Sequence, residues 1–496
     1  MTLRELINGQ EIKAVKGDAS VEIADIVYHS QSVREGALFV AIKGLRADGH
    51  DYIPAAIQGG ARAVILEDMK KGIPASIPIV TVSNARSALA QVSARFFGYP
   101  SRALKLIGVT GTNGKTTTTF LIESLLKEGG FNPGVVGTIN YRLGGKETIA
   151  VHTTPESLDL QRILSEMRGE GATHAVMEVS SHALDQGRVE GCSFEGAVFT
   201  NLTPEHLDYH GDMNGYFKSK ERLFTSLLRR EGFAVINSDD DWGEAISRNL
   251  SMNHFRYGLR KKAEIWAERV DFSLNGIAGK VHTPVGVFPM YSPLIGEINL
   301  YNILASVGVG VAQGIPLNLI ASALEKVKKV PGRLEQVQND RGLTIFVDYA
   351  HTSDALERVL STLRELGKKK IITIFGCGGD RDRTKRPRMG EISGRYSDLT
   401  IITSDNPRSE DPKKIIGEIE EGIQSLGLPR WTENCEKGYL VVPDRREAIT
   451  TGVRLAKTGD VLLIAGKGHE NYQIIGEGRI HFDDREEVMN ALQAFA

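Results

Sequence analysis

Ten residues, Gly108-Val-Thr-Gly111-Thr-Asn-Gly114-Lys115-Thr116-Thr117, constrain this chain more than any others. They continue the apolar run that starts at Leu104 and lead into TTTTFLIESLLKEG, so the pattern predicts a strand, a glycine loop and a helix in that order. This is the unit from which parallel α/β sheets are wound. Backbone N–H groups of Gly111, Thr112, Asn113 and Gly114 at such a helix start can wrap a triphosphate. Lys115 can neutralise its β/γ oxygens, and Thr116 can offer a hydroxyl to Mg²⁺, with Thr117 completing the turn. Val109 stands where the strict G-x-x-x-x-G-K-[ST] pattern has glycine, so the loop is a variant. A glycine-rich turn that merely packs well is the competing reading, and the loop alone does not separate a kinase from a GTPase or a ligase.

The chain has 496 residues, which at roughly 150 per domain points to about three domains. Its 60 Lys+Arg nearly cancel 62 Asp+Glu, so no basic field for a nucleic-acid backbone exists. Three widely spaced cysteines, Cys192, Cys377 and Cys435, form no C-x-x-C pair and fit a reducing compartment. The opening MTLRELINGQEIKAV lacks the apolar core of a signal peptide, and no run reaches the ~18 apolar residues of a membrane helix. A monomeric enzyme, cytoplasmic and free of any membrane insertion, is the expectation.

Short β-type runs (IADIVY, ALFVAI, RAVILE, IPIVTV) alternate with helical segments up to residue 98, where Tyr99-Pro100-Ser101 breaks the pattern. A second alternation runs to Val330-Pro331-Gly332-Arg333, and a third follows with LTIFVDYA, KKIITIFGC, LTIITSDN and VLLIAGKG. The expected fold is therefore α/β in three domains. Residues 1–98 form a small α/β domain, 99–330 a central P-loop ATPase-like, doubly wound parallel sheet, and 331–496 a Rossmann-like C-terminal domain. Polar tips after the last four β runs lie where open α/β sheets bind ligands.

Three more residues invite chemistry. Glu178 ends the run AVME and suits a metal-binding acid beside the phosphate loop, although a solvated strand-end glutamate reads the same way. In a helix expected to continue to Leu228, Lys220 shares its stripe with Phe217, Leu223, Phe224 and Leu227, whereas Lys218 faces Glu221, Arg222 and Thr225. An inward lysine is costly unless paired, neutralised or chemically changed. A neutral amine can add CO₂ to give a carbamate able to bridge two Mg²⁺ ions, while a snorkelling stem over apolar surface is the alternative. His206, in TPEHLD, follows the run GAVFTNL at another strand end.

Together GTNGKTT (111–117), MEVSSH (177–182), NLTPEHLD (201–208), Lys220, VDYAHT (347–352) and GKGHE (466–470) resemble the muramyl ligase family of peptidoglycan precursor synthesis, across all three expected domains. Asp405-Asn406-Pro407-Arg408 narrows the resemblance to the branch that adds the third residue as meso-diaminopimelate. The resemblance implies ATP as co-substrate, Mg²⁺, and a reaction in which the D-glutamyl carboxylate of UDP-N-acetylmuramoyl-L-alanyl-D-glutamate becomes an acyl phosphate that an amine displaces. Lys115, Glu178, His206 and Lys220 would be catalytic. Thr116 and Glu178 would hold one Mg²⁺, and His206 with Lys220, modified to N6-carboxylysine, would help hold the other.

Further positions follow from the same resemblance. Asn302, Arg333 and Asp348 would reach the nucleotide, Arg333 and Asp348 from a domain that closes on it. The nucleotide sugar would meet Ser30, Thr153, Thr154, Ser180, Gln186 and Arg188. Where the family often has Asp-Ser-Arg this chain has His29-Ser30-Gln31, so a charge pair is absent there. Arg381, Asp405, Asn406, Pro407, Arg408, Gly466 and Glu470 would bind diaminopimelate, Arg408 and Arg381 meeting its distal carboxylate as a planar fork and Glu470 its ammonium. The rivals are a folylpolyglutamate synthase-like ligase and a regulatory P-loop NTPase switch.

Overall fold

In the computed structural model, which describes residues 1–44, 47–69, 73–367 and 369–495, three α/β sheets follow one another along the chain. The first has five strands in the order Ile12–Lys16, Ile79–Val82, Ala61–Leu66, Ala37–Val40 and Asp25–Val27, all parallel except Ile12–Lys16. Ala37–Val40 is buried at every position, which is why its sequence is a continuous apolar run rather than an alternating one. Helix Ala85–Phe96 starts where the Asn84 side chain accepts from the Arg86 and Ser87 N–H groups.

The second sheet has eight strands, ordered His254–Tyr257, Leu228–Asn237, Phe194–Phe199, Lys105–Thr110, His174–Glu178, Pro133–Val136, Asn140–Leu143 and Lys146–Ile149. The first six are parallel and the last two turn back antiparallel. The parallel expectation fails at this edge because Gly144 and Gly145 both take positive φ, the two-residue turn that closes a tight hairpin. Leu106, Met177, Phe194, Phe199 and Ile236 from the sheet pack with Tyr216, Leu223 and Phe224 of the segment that carries Lys220. That segment is shorter than its periodicity predicts. Helix Met213–Arg222 widens into a π turn at Leu223–Leu227, and Leu228 already begins a strand.

The third sheet orders Glu335–Val337, Thr344–Asp348, Val461–Ala465, Ile371–Phe375, Leu399–Ile402 and Gly438–Val441, the first antiparallel and the rest parallel. Asp348 pairs with Ala465, Ala465 with Phe375, and Phe375 with Ile402, so four strands end level and their polar tips emerge together. A three-stranded antiparallel sheet, Trp266–Ser273, Gly276–Thr283 and Gly286–Ser292, stands where the sequence reading continues the doubly wound pattern. The chain packs as two compact units, Met1–Ile265 with Ala305–Pro316, and Trp266–Leu304 with Leu317–Ala496. No helix among the described residues is long and apolar enough to cross a membrane.

Candidate active site

In the first unit, strand Lys105–Thr110 lies between Phe194–Phe199 and His174–Glu178, so the phosphate loop opens at the carboxyl ends of three neighbours. Gly111 has φ 145°, and a Cβ there would sit 1.8 Å from the Thr200 hydroxyl oxygen, so only glycine fits. Asn201 clamps the loop. Its side-chain oxygen accepts from the Asn113 N–H at 2.9 Å, and its carbonyl accepts from the Thr112 N–H at 2.8 Å. Thr200 donates to the Asn113 carbonyl at 2.7 Å. Lys115 begins helix Lys115–Glu128, and its Nζ donates to the Gly111 and Thr112 carbonyls at 2.9 and 2.8 Å, which folds the ammonium back over the loop.

Glu178 is 1% exposed, and Thr116 donates to its Oε2 at 3.0 Å. Thr138 donates to both carboxylate oxygens, from its N–H at 2.8 Å and its hydroxyl at 3.0 Å. Among the described residues no three His, Cys, Asp or Glu side chains gather into a metal cage. The donors on offer beside the loop are a hydroxyl and a carboxylate, both hard oxygens. Mg²⁺ takes such a set, using one or two carboxylates and completing its shell with phosphate oxygens and water.

Lys220 faces inward, as its stripe predicts: the residue is 1% exposed, and its Nζ donates to the Gly111 carbonyl at 2.8 Å. Burial, reinforced by the nearby Lys115 charge, holds its pKa well below the ordinary lysine range. A snorkelling stem is excluded by that burial, because the head itself lies inside. The amine can therefore be neutral, which is the form that adds CO₂. His206 takes a left-handed backbone (φ 56°) just before helix Leu207–His210. Its ring stands edge-on to His182, with centroids 4.7 Å apart. Burial first, then the His206 and His210 charges, push the His182 pKa down to about 4, so that ring is neutral at ordinary pH.

Five of the six expected nucleotide-sugar residues join the same network. Thr153 and Thr138 share a hydrogen bond at 3.1 Å, and Thr154 donates to the Glu178 carbonyl at 2.9 Å and accepts from the Ser180 N–H at 3.1 Å. Arg188 donates to the Thr154 carbonyl at 3.2 Å and, through Nε and Nη2, to Gln186 Oε1 at 3.1 and 2.6 Å. Glu156 Oε2 stands 2.7 Å from Arg86 and 3.9 Å from Arg188. Ser30 opens the short turn Ser30–Ser32 and has no hydrogen bond to this group.

In the second unit, Asp348 is 7% exposed, and burial raises its pKa against the opposing pull of Arg333. Its two oxygens accept from the Ala350 and Leu334 N–H groups, each at 2.7 Å, so it ties the chain just after Pro331-Gly332-Arg333 to the end of its strand. The Arg333 guanidinium lies 4.8 Å over the Tyr349 ring, and the Asn302 amide donates to Asn299 at 3.2 Å.

The level strand ends assemble the remaining candidates. A Cβ on Gly378 would come 2.9 Å from Arg408 Nη1 and 3.9 Å from Arg381 Cγ, so both arginines flank one glycine. Arg408 has φ 52° and donates from Nη1 to the Gly379 carbonyl at 2.7 Å. Gly379 in turn could carry no side chain, since its Cβ would lie 1.9 Å from the Pro407 carbonyl oxygen. Gly466 (φ 115°) turns the chain beside Asp405, and the Asn406 amide donates to Glu470 Oε2 at 2.9 Å.

The sequence reading did not single out Thr138, Asn201 or Lys467 as site residues, and each proves central to a cluster. Thr138 and Asn201 both follow the carboxyl ends of strands, a position that could have marked them. Lys467 carries no local signal, because two of its partners lie more than sixty residues away, at positions 405 and 406.

Three stretches match Mur ligase descriptions: "Mur ligase family, catalytic domain" over residues 22–97, "Mur ligase middle domain" over 109–310, and "Mur ligase, glutamate ligase domain" over 332–468. A Geobacter metallireducens protein named UDP-N-acetylmuramoyl-L-alanyl-D-glutamate--2,6-diaminopimelate ligase is 51% identical, over 99% of this chain and 98% of its own. A Geobacillus kaustophilus protein of the same name is 45% identical over 94% of each. A solved structure of that name superposes with TM-score 0.70 at 33% identity, covering 100% of this chain and 99% of the other. With half of all positions shared with a full-length relative, and with the phosphate loop and its inward lysine in place, the chain belongs to the Mur ligase family.

Proposed function

We propose that this chain is an ATP-dependent ligase that joins meso-diaminopimelate to the D-glutamate of UDP-N-acetylmuramoyl-L-alanyl-D-glutamate through an acyl phosphate, in peptidoglycan precursor synthesis. The observation that carries the substrate choice is the corner at 405–408, where Arg408 and Arg381 flank Gly378 while Asn406 joins Glu470. A zwitterionic amino-acid head needs that combination, a planar cation for its carboxylate and an acid for its ammonium.

The phosphate loop N–H groups and Lys115 orient the triphosphate, and the substrate carboxylate attacks its γ-phosphorus as ADP departs. The amine of the second substrate then attacks the acyl carbon, phosphate leaves with the bond electrons, and the amine loses a proton. Thr116 and Glu178 would hold one Mg²⁺, while His206 and carbamylated Lys220 help hold a second. Bound there, the ions screen the carboxylate's approach to the triphosphate. On Lys220, addition of CO₂ to the neutral amine makes an N–C bond and releases one proton. Asn302, Arg333 and Asp348 are read as nucleotide contacts, and Thr153, Thr154, Ser180, Gln186, Arg188 and Ser30 as nucleotide-sugar contacts. The segments 1–98, 99–330 and 331–496 would divide nucleotide-sugar, ATP and amino-acid binding among them.

Matching of relatives across residues 1–98 supports this branch over a folylpolyglutamate synthase-like enzyme. Free thiols at Cys192, Cys377 and Cys435 suit the cytoplasm, where we place the enzyme. The test is phosphate release that requires both the UDP-muramoyl-dipeptide and diaminopimelate. Hydrolysis at full rate with either one omitted would sink the proposal.

A further inference from the structure

Lys467 is a fully buried cation, its side chain 0% exposed, and the reaction above gives it no step. Its Nζ lies 3.5 Å from Asp405 Oδ1, 3.3 Å from Asn406 Oδ1 and 3.3 Å from Glu470 Oε2. An ammonium has three N–H donors, so these three oxygens use all of them. Lys467 therefore has no proton left to offer a substrate, and whatever it does, it does through its partners. Each of those partners is an expected contact of the incoming amino acid.

The surroundings make this cluster rigid. Asn406 Oδ1 also accepts from the Ile474 N–H at 2.9 Å, and the Gln473 amide donates to the Asp405 carbonyl at 2.6 Å. The Lys467 ammonium lies 5.5 Å from the centre of the Tyr472 ring. One other fully buried cation stands nearby, Arg445, which donates to the Ala465 carbonyl at 3.0 Å. It is committed to Asp484 through two bonds at 2.7 and 2.8 Å and feels the Asp405 and Glu470 charges only at longer range. Among the described residues, Lys467 is the ammonium in direct contact with both of those carboxylates.

We propose that Lys467 is a positioning residue that sets the net charge of the amino-acid subsite, and so its preference for a zwitterionic head group over a bare ammonium. The inference rests on the diaminopimelate reading of this corner. On the acid side of the corner, Asp405, Glu470 and Lys467 together leave a single net negative charge, enough for one substrate ammonium. The arginine pair, Arg381 and Arg408, then goes unmatched unless the same head group brings a carboxylate. Without Lys467 the two carboxylates would repel each other and the subsite would gain a negative charge. It would then attract a lone ammonium, such as the far end of lysine, and repel the carboxylate of diaminopimelate.

Lys467→Met and Lys467→Gln test this, with thermal unfolding and the KM for ATP as controls for folding. In each variant the KM for diaminopimelate should rise about tenfold or more while the KM for ATP stays within about twofold, since one partner of a buried, hydrogen-bonded charge cluster is lost. The ratio of kcat/KM for diaminopimelate to that for lysine should fall by at least about tenfold. A folded variant with unchanged ratio and unchanged KM for diaminopimelate would overturn the proposal. So would failure of both variants to fold, which would make Lys467 an anchor of the domain. If the unmodified enzyme does not ligate diaminopimelate at all, the parent reading fails instead.

Discussion

The Nζ of Lys220 and the carbonyl oxygen of Gly111 are hydrogen-bonded at 2.8 Å, which ties a buried helix residue to the first tight turn of the phosphate loop. The contact places the amine beside the phosphate loop, and among the described residues no carboxylate lies within hydrogen-bond distance of it. Replacing Lys220 with Ala should therefore lower kcat by about 10³-fold or more, and a small carboxylic acid added in excess should restore part of it if a carbamate is the working species. Turnover unaffected by the substitution would remove Lys220 from the mechanism.

Glu178 is held by three donors from Thr116 and Thr138, and its role as a metal-binding acid can be separated from its role in the fold. Glu178→Gln keeps the shape and removes the charge. The Mg²⁺ concentration for half-maximal activity should rise about 10- to 100-fold, with little change in the thermal unfolding midpoint. An unchanged Mg²⁺ titration would contradict the assignment.

Arg408 has a left-handed backbone and its guanidinium is tied to the Gly379 carbonyl. Arg408→Ala should raise the KM for diaminopimelate about tenfold or more while the KM for ATP barely moves, because a charge-assisted contact is lost. Equal rises in both constants would point to a damaged domain rather than a lost contact.

The 376–381 loop is braced from behind. Arg386, fully buried, pairs with Glu410 at 2.9 Å and Glu418 at 2.8 Å, and Glu410 also accepts from the Asp380 N–H at 2.6 Å. The Arg386 hydrogen bonds hold the Glu410 pKa down at about 2, from an ordinary 4.5. A lowered carboxylate pKa contributes stability that is complete above about pH 4.5 and is lost as pH falls toward about 2. Glu410→Gln should therefore be less stable than the unmodified chain at pH 6, and the gap should close between about pH 4.5 and 2. A gap that persists below pH 2 would locate the effect elsewhere.

Legibility in the sequence followed distance along the chain. The phosphate loop, its helix and the inward face of Lys220 are set by residues within a few turns of one another, so spacing alone revealed them. The end of the Lys220 helix did not show, because the widened turn at Leu223–Leu227 keeps the same apolar stripe while changing the backbone. The sheet at 266–292 was hidden differently. Buried Phe288, Met290 and Ser292 do alternate, and Asn275-Gly276 carries a hairpin signal, but the βα rhythm on either side overrode both. Lys467 had to wait for the fold, since level strand ends bring Asp405 and Asn406 to it.

The central claim is that this corner of the third sheet selects an amino acid with a second carboxylate. The most direct measurement is phosphate release with the UDP-muramoyl-dipeptide present and either meso-diaminopimelate or L-lysine as the amine. The account expects release with diaminopimelate and a preference over lysine of about tenfold or more in kcat/KM, since lysine leaves the Arg381 and Arg408 pair without a carboxylate. Equal use of lysine would contradict it.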